Sequence, residues 1–241
     1  MPELELDALL AGATVDPAVF ALRPDYRVLL LAVDGLPASG PCDEATEALL
    51  ANAEAAARTA LEERPVEEIG QVAAWREAYR GFGAKPQRTR NSLEALLRRA
   101  SSGLPRVNRL TDIYNAVSVL HQIPLGGEDL DQYVGSPRLI RAEGTEPFDT
   151  VADGAAVVEH PEPGEVVWCD AVGVTCRRWN WRQGRRTQLT AATTAALFIL
   201  DALDPVTEEQ LAAAGTDLLA HLRRIAPELR VAQRLISAQA P

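Results

Sequence analysis

The hydrophobic period of this chain changes near its middle, and the change restricts the folds open to it. Up to about residue 121, apolar residues recur at three- and four-residue steps within stretches rich in Ala, Glu and Arg, as in amphipathic helices. Beyond that point the texture is different. "PRLIRAEG", "GAAVVEHPEPGE" and "VVWCDAVGVTCRRWNW" are short β-rich runs separated by turn residues. Ahead of the helices, "DYRVLLLAVDGL" (25–36) reads as a buried strand ending in the Asp34-Gly35 turn signal. "TQLTAATTAALFILDAL" mixes strand and helix signals and is assigned to a strand; "TEEQLAAAGTDLLAHLRRIAP" is a terminal amphipathic helix. The order strand, helices, strands, helix predicts an α+β fold with helices against a mostly antiparallel sheet. With 241 residues and no internal repeat or evident linker, one domain over 1–241 is expected.

Three helices are delimited by their own stop signals. "DEATEALLANAEAAARTALEERP" ends at Pro65, and "VEEIGQVAAWREAYRGFG" ends at Gly81 and Gly83 with Val72, Trp75 and Tyr79 on one side. After the basic loop "AKPQRTRN", Ser92 is expected to cap "LEALLRRA". The helix in "LPRVNRLTDIYNAVSVL" (104–120) is less ordinary. Leu110, Ile113, Val117 and Leu120 form a core-facing stripe, while Asn108, Asp112 and Asn115 share a second face. That polar face either meets water or lines a polar pocket. "IPLGGEDLD" then breaks the chain, and its paired glycines offer N–H groups that could face a ligand.

Composition narrows the functional classes. The formal charge of −10 argues against non-specific nucleic-acid binding, and a DNA partner is not expected. The basic residues are nevertheless concentrated. Nine lie between Arg76 and Arg109 against Glu77 and Glu94, and five arginines lie between Arg177 and Arg186 with no acid among them. Such clusters either decorate exposed elements or meet an anionic partner. No charged-then-apolar leader is read at the start, and no apolar run is long enough to span a bilayer, so a cytoplasmic protein without a membrane partner is expected. Cys42, Cys169 and Cys176 are odd in number and lack metal-ligand spacing; no metal and no cofactor are expected. Motifs for a nucleophile elbow, a zinc protease, a phosphate loop or a dinucleotide site are missing, and His121, His160 and His221 stand in unrelated contexts. "RRWNWRQGRRT" (177–187) can be read two ways. As a strand it alternates Arg178, Asn180 and Arg182 against Arg177, Trp179, Trp181 and Gln183, with Arg and Trp placed to stack on bases; otherwise it is an exposed hairpin anchored by its Trp residues.

"LPRVNRLTDIYNAVSVLHQIPLGGEDLD" resembles a signature of the B3/B4 domain in the phenylalanyl-tRNA synthetase β subunit. The matching positions are Pro105, Asn108, Asp112, Tyr114-Asn115, Pro124-Leu125 and Asp129. "LIRAEGTEPFDTVADG" and "GEVVWCDAVGVT" are similar to the strands that follow in that family, and the likeness is clearest over about 75–200. The resemblance implies a free-standing B3/B4-like fold and an editing activity, the hydrolysis of misacylated tRNA. Asn115 and Tyr114 would then sit at the pocket wall, with Asn108 and Asp112 bracing it. Asn115 with the N–H groups of Gly126 and Gly127 would position the ester. Glu128 or Asp129 would engage the amino acid. The aminoacylated end of tRNA would meet Arg177, Arg178 and Arg182, with Trp179 beside them and Arg88 and Arg90 in the other basic segment. The sequence departs from the family at Gly126, which stands where the family has a His, and no residue of "RRWNWRQGRRT" matches the family's later pocket Glu. A non-catalytic tRNA- or amino-acid-binding module, and a small-molecule enzyme or sensor, are the other readings. The oligomeric state is not legible.

Overall fold

The computed structural model describes residues 5–38, 40 and 42–238; the residues on either side of this range, part of the expected 1–241 unit, lie outside the described residues. Short elements come first: α1 (Leu6–Ala11), β1 (Thr14–Val15) and α2 (Pro17–Leu22). β2 (Arg27–Asp34) is followed by α3 (Glu44–Glu63), α4 (Gly70–Gly81), α5 (Ser92–Arg99) and α6 (Arg109–His121). The second half runs β3 (Leu125–Asp129), β4 (Arg138–Arg141), β5 (Phe148–Ala152), β6 (Ala155–Glu159), β7 (Val166–Cys169), β8 (Val174–Arg177), β9 (Arg182–Gln183) and β10 (Ala195–Ala202). The chain closes with α7 (Glu208–Ile225) and β11 (Arg230–Ser237). This is the α+β class that the change of period predicts.

A four-stranded antiparallel sheet, ordered β11-β2-β10-β3, forms the centre. Every residue of β10 and the interior of β2 are buried, because both faces of this sheet are covered. Leu29, Leu31, Val33, Phe198 and Leu200 face one core, shared with α3, α6 and α7. Val28, Leu30, Ala32, Leu197 and Ile199 face another, filled by Tyr26, Trp75, Trp168 and Trp179. Trp168 belongs to a second sheet, β1-β4-β7-β8-β9, in which β1 joins β4 in parallel and the other pairs are antiparallel. β5 and β6 form a separate hairpin. α7 lies close on the first sheet: a Cβ at Gly215 would stand 2.6 Å from Leu29 Cδ2.

Several local expectations are corrected. Asn91, not Ser92, caps α5, its side chain accepting from the Glu94 N–H at 2.9 Å, and Ser92 is the first helical residue. The segment expected to break the chain after α6 contains β3, since pairing along β10 overrides the weak strand propensity of "LGGED". The 177–183 segment is no continuous strand: positive φ at Arg178 and Trp179 turns it between β8 and β9. Only Ala195–Ala202 of the 187–203 segment is strand. "VEEIG" forms a short 3₁₀ turn (Val66–Glu68) before α4. α1, α2 and β11 carry no clear periodic signal; β11 is an edge strand with a mixed burial pattern.

Candidate functional site

A cavity of about 290 Å³ opens where β3, the edge strand of the central sheet, meets α5, α6 and the second sheet. Ser92, Ala95, Leu96 and Arg99 of α5 line one wall, Tyr114 and Asn115 of α6 another. Leu125, Gly126, Glu128, Ile199 and Asp201 come from β3 and β10, and Trp168, Cys176, Trp179, Asn180, Trp181 and Gln183 from the opposite side.

The three polar residues of α6 divide between bracing and lining. Asn108 is the N-cap, accepting from the Thr111 N–H at 3.0 Å. Asp112 is buried and accepts from the Val107 N–H at 2.8 Å, holding the chain that enters the helix. Asn115, one turn on, lies on the cavity wall, and its amide finds no hydrogen-bond partner among the described residues. The adjacent Tyr114 packs edge-on against Phe198, with 6.2 Å between ring centroids.

Gly126 and Gly127 are ladder residues, opposite Ile199 and Phe198, so their backbone is not the open loop that the sequence suggested. Alternation along β3 directs Gly126 and Glu128 to the cavity side. A Cβ at Gly126 would meet nothing within 4 Å, so the absent side chain is cavity volume. Gly127 faces the helices, its carbonyl accepts from Gln183 Nε2 at 2.6 Å, and it does not line the cavity. Asp129 is also turned away: Thr193 Oγ1 donates to it at 2.6 Å and the Asp131 N–H at 3.0 Å, which makes it a turn residue.

Two buried carboxyls face the cavity. Glu128 is 2 % exposed; burial pushes its carboxyl up to about 7, against the hydrogen bond donated by the Tyr133 hydroxyl. Asp201, also 2 % exposed, was not singled out in the sequence. Burial raises it to about 7, opposed by hydrogen bonds from Tyr26 (2.7 Å) and Asn180 (3.2 Å). Asn180 in turn accepts from the Tyr79 hydroxyl at 2.9 Å. Asp201 thus supplies an acid on a later strand, outside the Arg/Trp segment. Its signal was a lone Asp in "LFILDAL", the single charged residue of a strand buried on both faces. Glu128 pairs in register with Leu197, four positions from Asp201 on β10, so the acids stand roughly 13 Å apart at 3.3 Å per residue. The Cys176 thiol lies between cavity and sheet; desolvation first, then the charges of Glu128 and Asp201, holds it well above the usual thiol range. It is therefore no thiolate nucleophile.

The arginines fall into two groups. Arg177 is buried, making two 2.8 Å contacts to Glu165 and one of 3.0 Å to Glu159. Arg178 lies 3.6 Å from Glu165 and 4.5 Å above the Trp181 ring. Arg182 lies 3.7 Å from Glu159 and donates to the Val151 carbonyl at 2.9 Å. Trp179 is a core residue, fully buried beside Tyr26 and Trp75, with no surface for stacking. Arg88 and Arg90 are exposed, Arg90 lying 3.7 Å from Glu94. The two Arg-rich segments abut where the Ser92 N–H donates to the Asn180 carbonyl at 3.0 Å, beside the cavity.

Among the described residues no cluster of His, Cys, Asp or Glu is arranged to hold a metal ion, and no helix is long and apolar enough to cross a membrane. Curated protein sequences give no significant match. Among solved structures, an N-terminal fragment of the phenylalanyl-tRNA synthetase β subunit from Pyrococcus horikoshii is similar with a TM-score of 0.44 and 12 % identity. That alignment covers 93 % of this chain and 50 % of the fragment, so the chain spans about half the fragment's length. The sequence profile of the B3/4 domain matches residues 74–226, from α4 through α7 and across every wall of the cavity. By that match, which takes in well over half of its residues, the chain belongs to the B3/4 domain family.

Proposed function

We propose that the chain, acting as one unit over 1–241, hydrolyses the ester of a misacylated tRNA in this cavity. The observation that carries the reading is the pair of buried carboxyls in a mostly apolar cavity that holds no activated nucleophile. An aminoacyl ester is already reactive, so orientation, a base and a hydrogen-bond donor suffice. Glu128 takes a proton from the attacking water as its oxygen bonds to the ester carbonyl. The Asn115 amide donates to the carbonyl oxygen as charge develops there. Collapse expels the ribose oxygen, which takes the proton, leaving a free amino acid and tRNA with its terminal hydroxyl restored. At the other end, Asp201 accepts from a side-chain hydroxyl of the bound amino acid.

The test is a deacylation screen against tRNAs charged with each amino acid, cognate and mischarged. Rapid loss of one mischarged species is expected, falling about 10²- to 10³-fold in Asn115→Ala, the range for one donor to an oxyanion. Because Glu128 acts as a base, the wild-type rate should climb with pH and level off above about 7, and Glu128→Gln should abolish that limb. Retention of tRNA with no hydrolysis of any species would instead identify a binding module.

A further inference from the structure

We propose that the polyanion recognised by this protein, the phosphodiester backbone at an RNA acceptor end, runs along α5 and the loop before it and not over the Arg-rich hairpin. The inference rests on the preceding reading of aminoacyl-tRNA as substrate and assigns the surface that carries it.

In the sequence the hairpin looks the stronger candidate, with five arginines and no acid. In the fold each of the five meets an acid from another element. Arg177 and Arg178 meet Glu165, and Arg182 meets Glu159. Arg185 lies 3.1 Å from Asp149, and Arg186 lies 2.8 Å from the buried Asp170. A phosphate arriving there would have to displace carboxylates already in place.

The other basic segment divides differently. Arg76, Arg90 and Arg98 converge on the buried Glu94, and Arg106 pairs with Glu47 and Glu54. Arg80, Lys85, Arg88 and Arg99 are exposed and have neither an ion-pair nor a side-chain hydrogen-bond partner among the described residues. Glu77 is the acid of this segment left exposed. Arg99 reaches the cavity itself, on the helix face it shares with Ser92, Ala95 and Leu96. α5 is eight residues, about 12 Å long. Arg88 precedes it by one short turn, so uncompensated charge flanks both ends of the cavity wall. A chain of net charge −10 repels a polyanion elsewhere and admits it here.

The experiment is equilibrium binding of deacylated tRNA to the full chain, by fluorescence anisotropy across a salt series. Arg88→Gln and Arg99→Gln should each weaken binding about three- to tenfold at low salt and lower the salt slope by about 1, as for one lost phosphate contact. Arg182→Gln and Arg185→Gln should bind within about twofold of wild type. The opposite pattern, or no binding at low salt, overturns the proposal. So does polyglutamate of matched charge competing as well as tRNA, which would point to an acidic polypeptide. The readout does not depend on hydrolysis. Loss of deacylation with this binding pattern intact overturns the editing reading alone, whereas deacylation that is indifferent to Arg88 and Arg99 overturns only the surface.

Discussion

A Cβ placed on Gly127 would lie 2.8 Å from Leu189 Cδ1 and 3.0 Å from both Phe198 and Tyr114, whereas one on Gly126 would touch nothing. Neighbours in one strand therefore answer differently to the same substitution. Gly127→Ala is expected to destabilise by about 1–3 kcal/mol, the usual cost of overpacking, and Gly126→Ala to leave stability nearly unchanged; urea midpoints distinguish the two. Asp201 makes a second prediction at this scale. Its folded carboxyl titrates near 7, above its unfolded value, so between those values the folded protein holds the extra proton. Its contribution to stability is thus greatest at low pH and falls as pH rises to about 7. Relative to wild type, Asp201→Asn should gain stability between pH 5 and pH 8; an unchanged difference would contradict the raised carboxyl. Neither property could be read from the sequence. "LGGED" names the residues but not the side of the sheet each faces, and "LFILDAL" shows a charge in a strand but not what surrounds it.

Elements show the same division. The helices legible in the sequence are those with an apolar stripe and a clear stop, as in α3 ending before Pro65 and in α7, where Thr207 and Gln210 form a capping box. The sequence alone does not separate Asn91 from Ser92 as the cap of α5, because both are good caps and only the N–H geometry distinguishes them. Asn91→Ala should cost about 1 kcal/mol of stability and Ser92→Ala a few tenths at most, by urea titration. The hairpin between β8 and β9 carries a misleading local pattern. Its alternation imitates a strand, while Trp179, in a left-handed conformation, turns inward to a core assembled from distant elements. There Arg177 is held by Glu165, a buried ion pair whose rupture in Glu165→Ala should cost about 3–5 kcal/mol, measurable in the same way.

Over the whole molecule, the central sheet draws strands from both ends and the middle of the chain. β11 pairs with β2 along eight register positions, although it lies beyond the matched segment 74–226. Ending the chain at residue 229 should therefore lower the midpoint of thermal unfolding sharply, since it opens β2 to solvent along its length. The sequence by itself determined the class of fold, the order of its main helices and strands, and the family signature around α6. Each of these is carried by short-range periodicity and local spacing, which survive in one dimension. The tertiary structure decided which polar groups share a cavity and which charges remain uncompensated. Glu128 and Asp201, 73 positions apart in the sequence, line one cavity from paired strands, and the arginines of the hairpin are neutralised by acids outside it. Burial and ion pairing depend on distance in space, and the fold sets that distance.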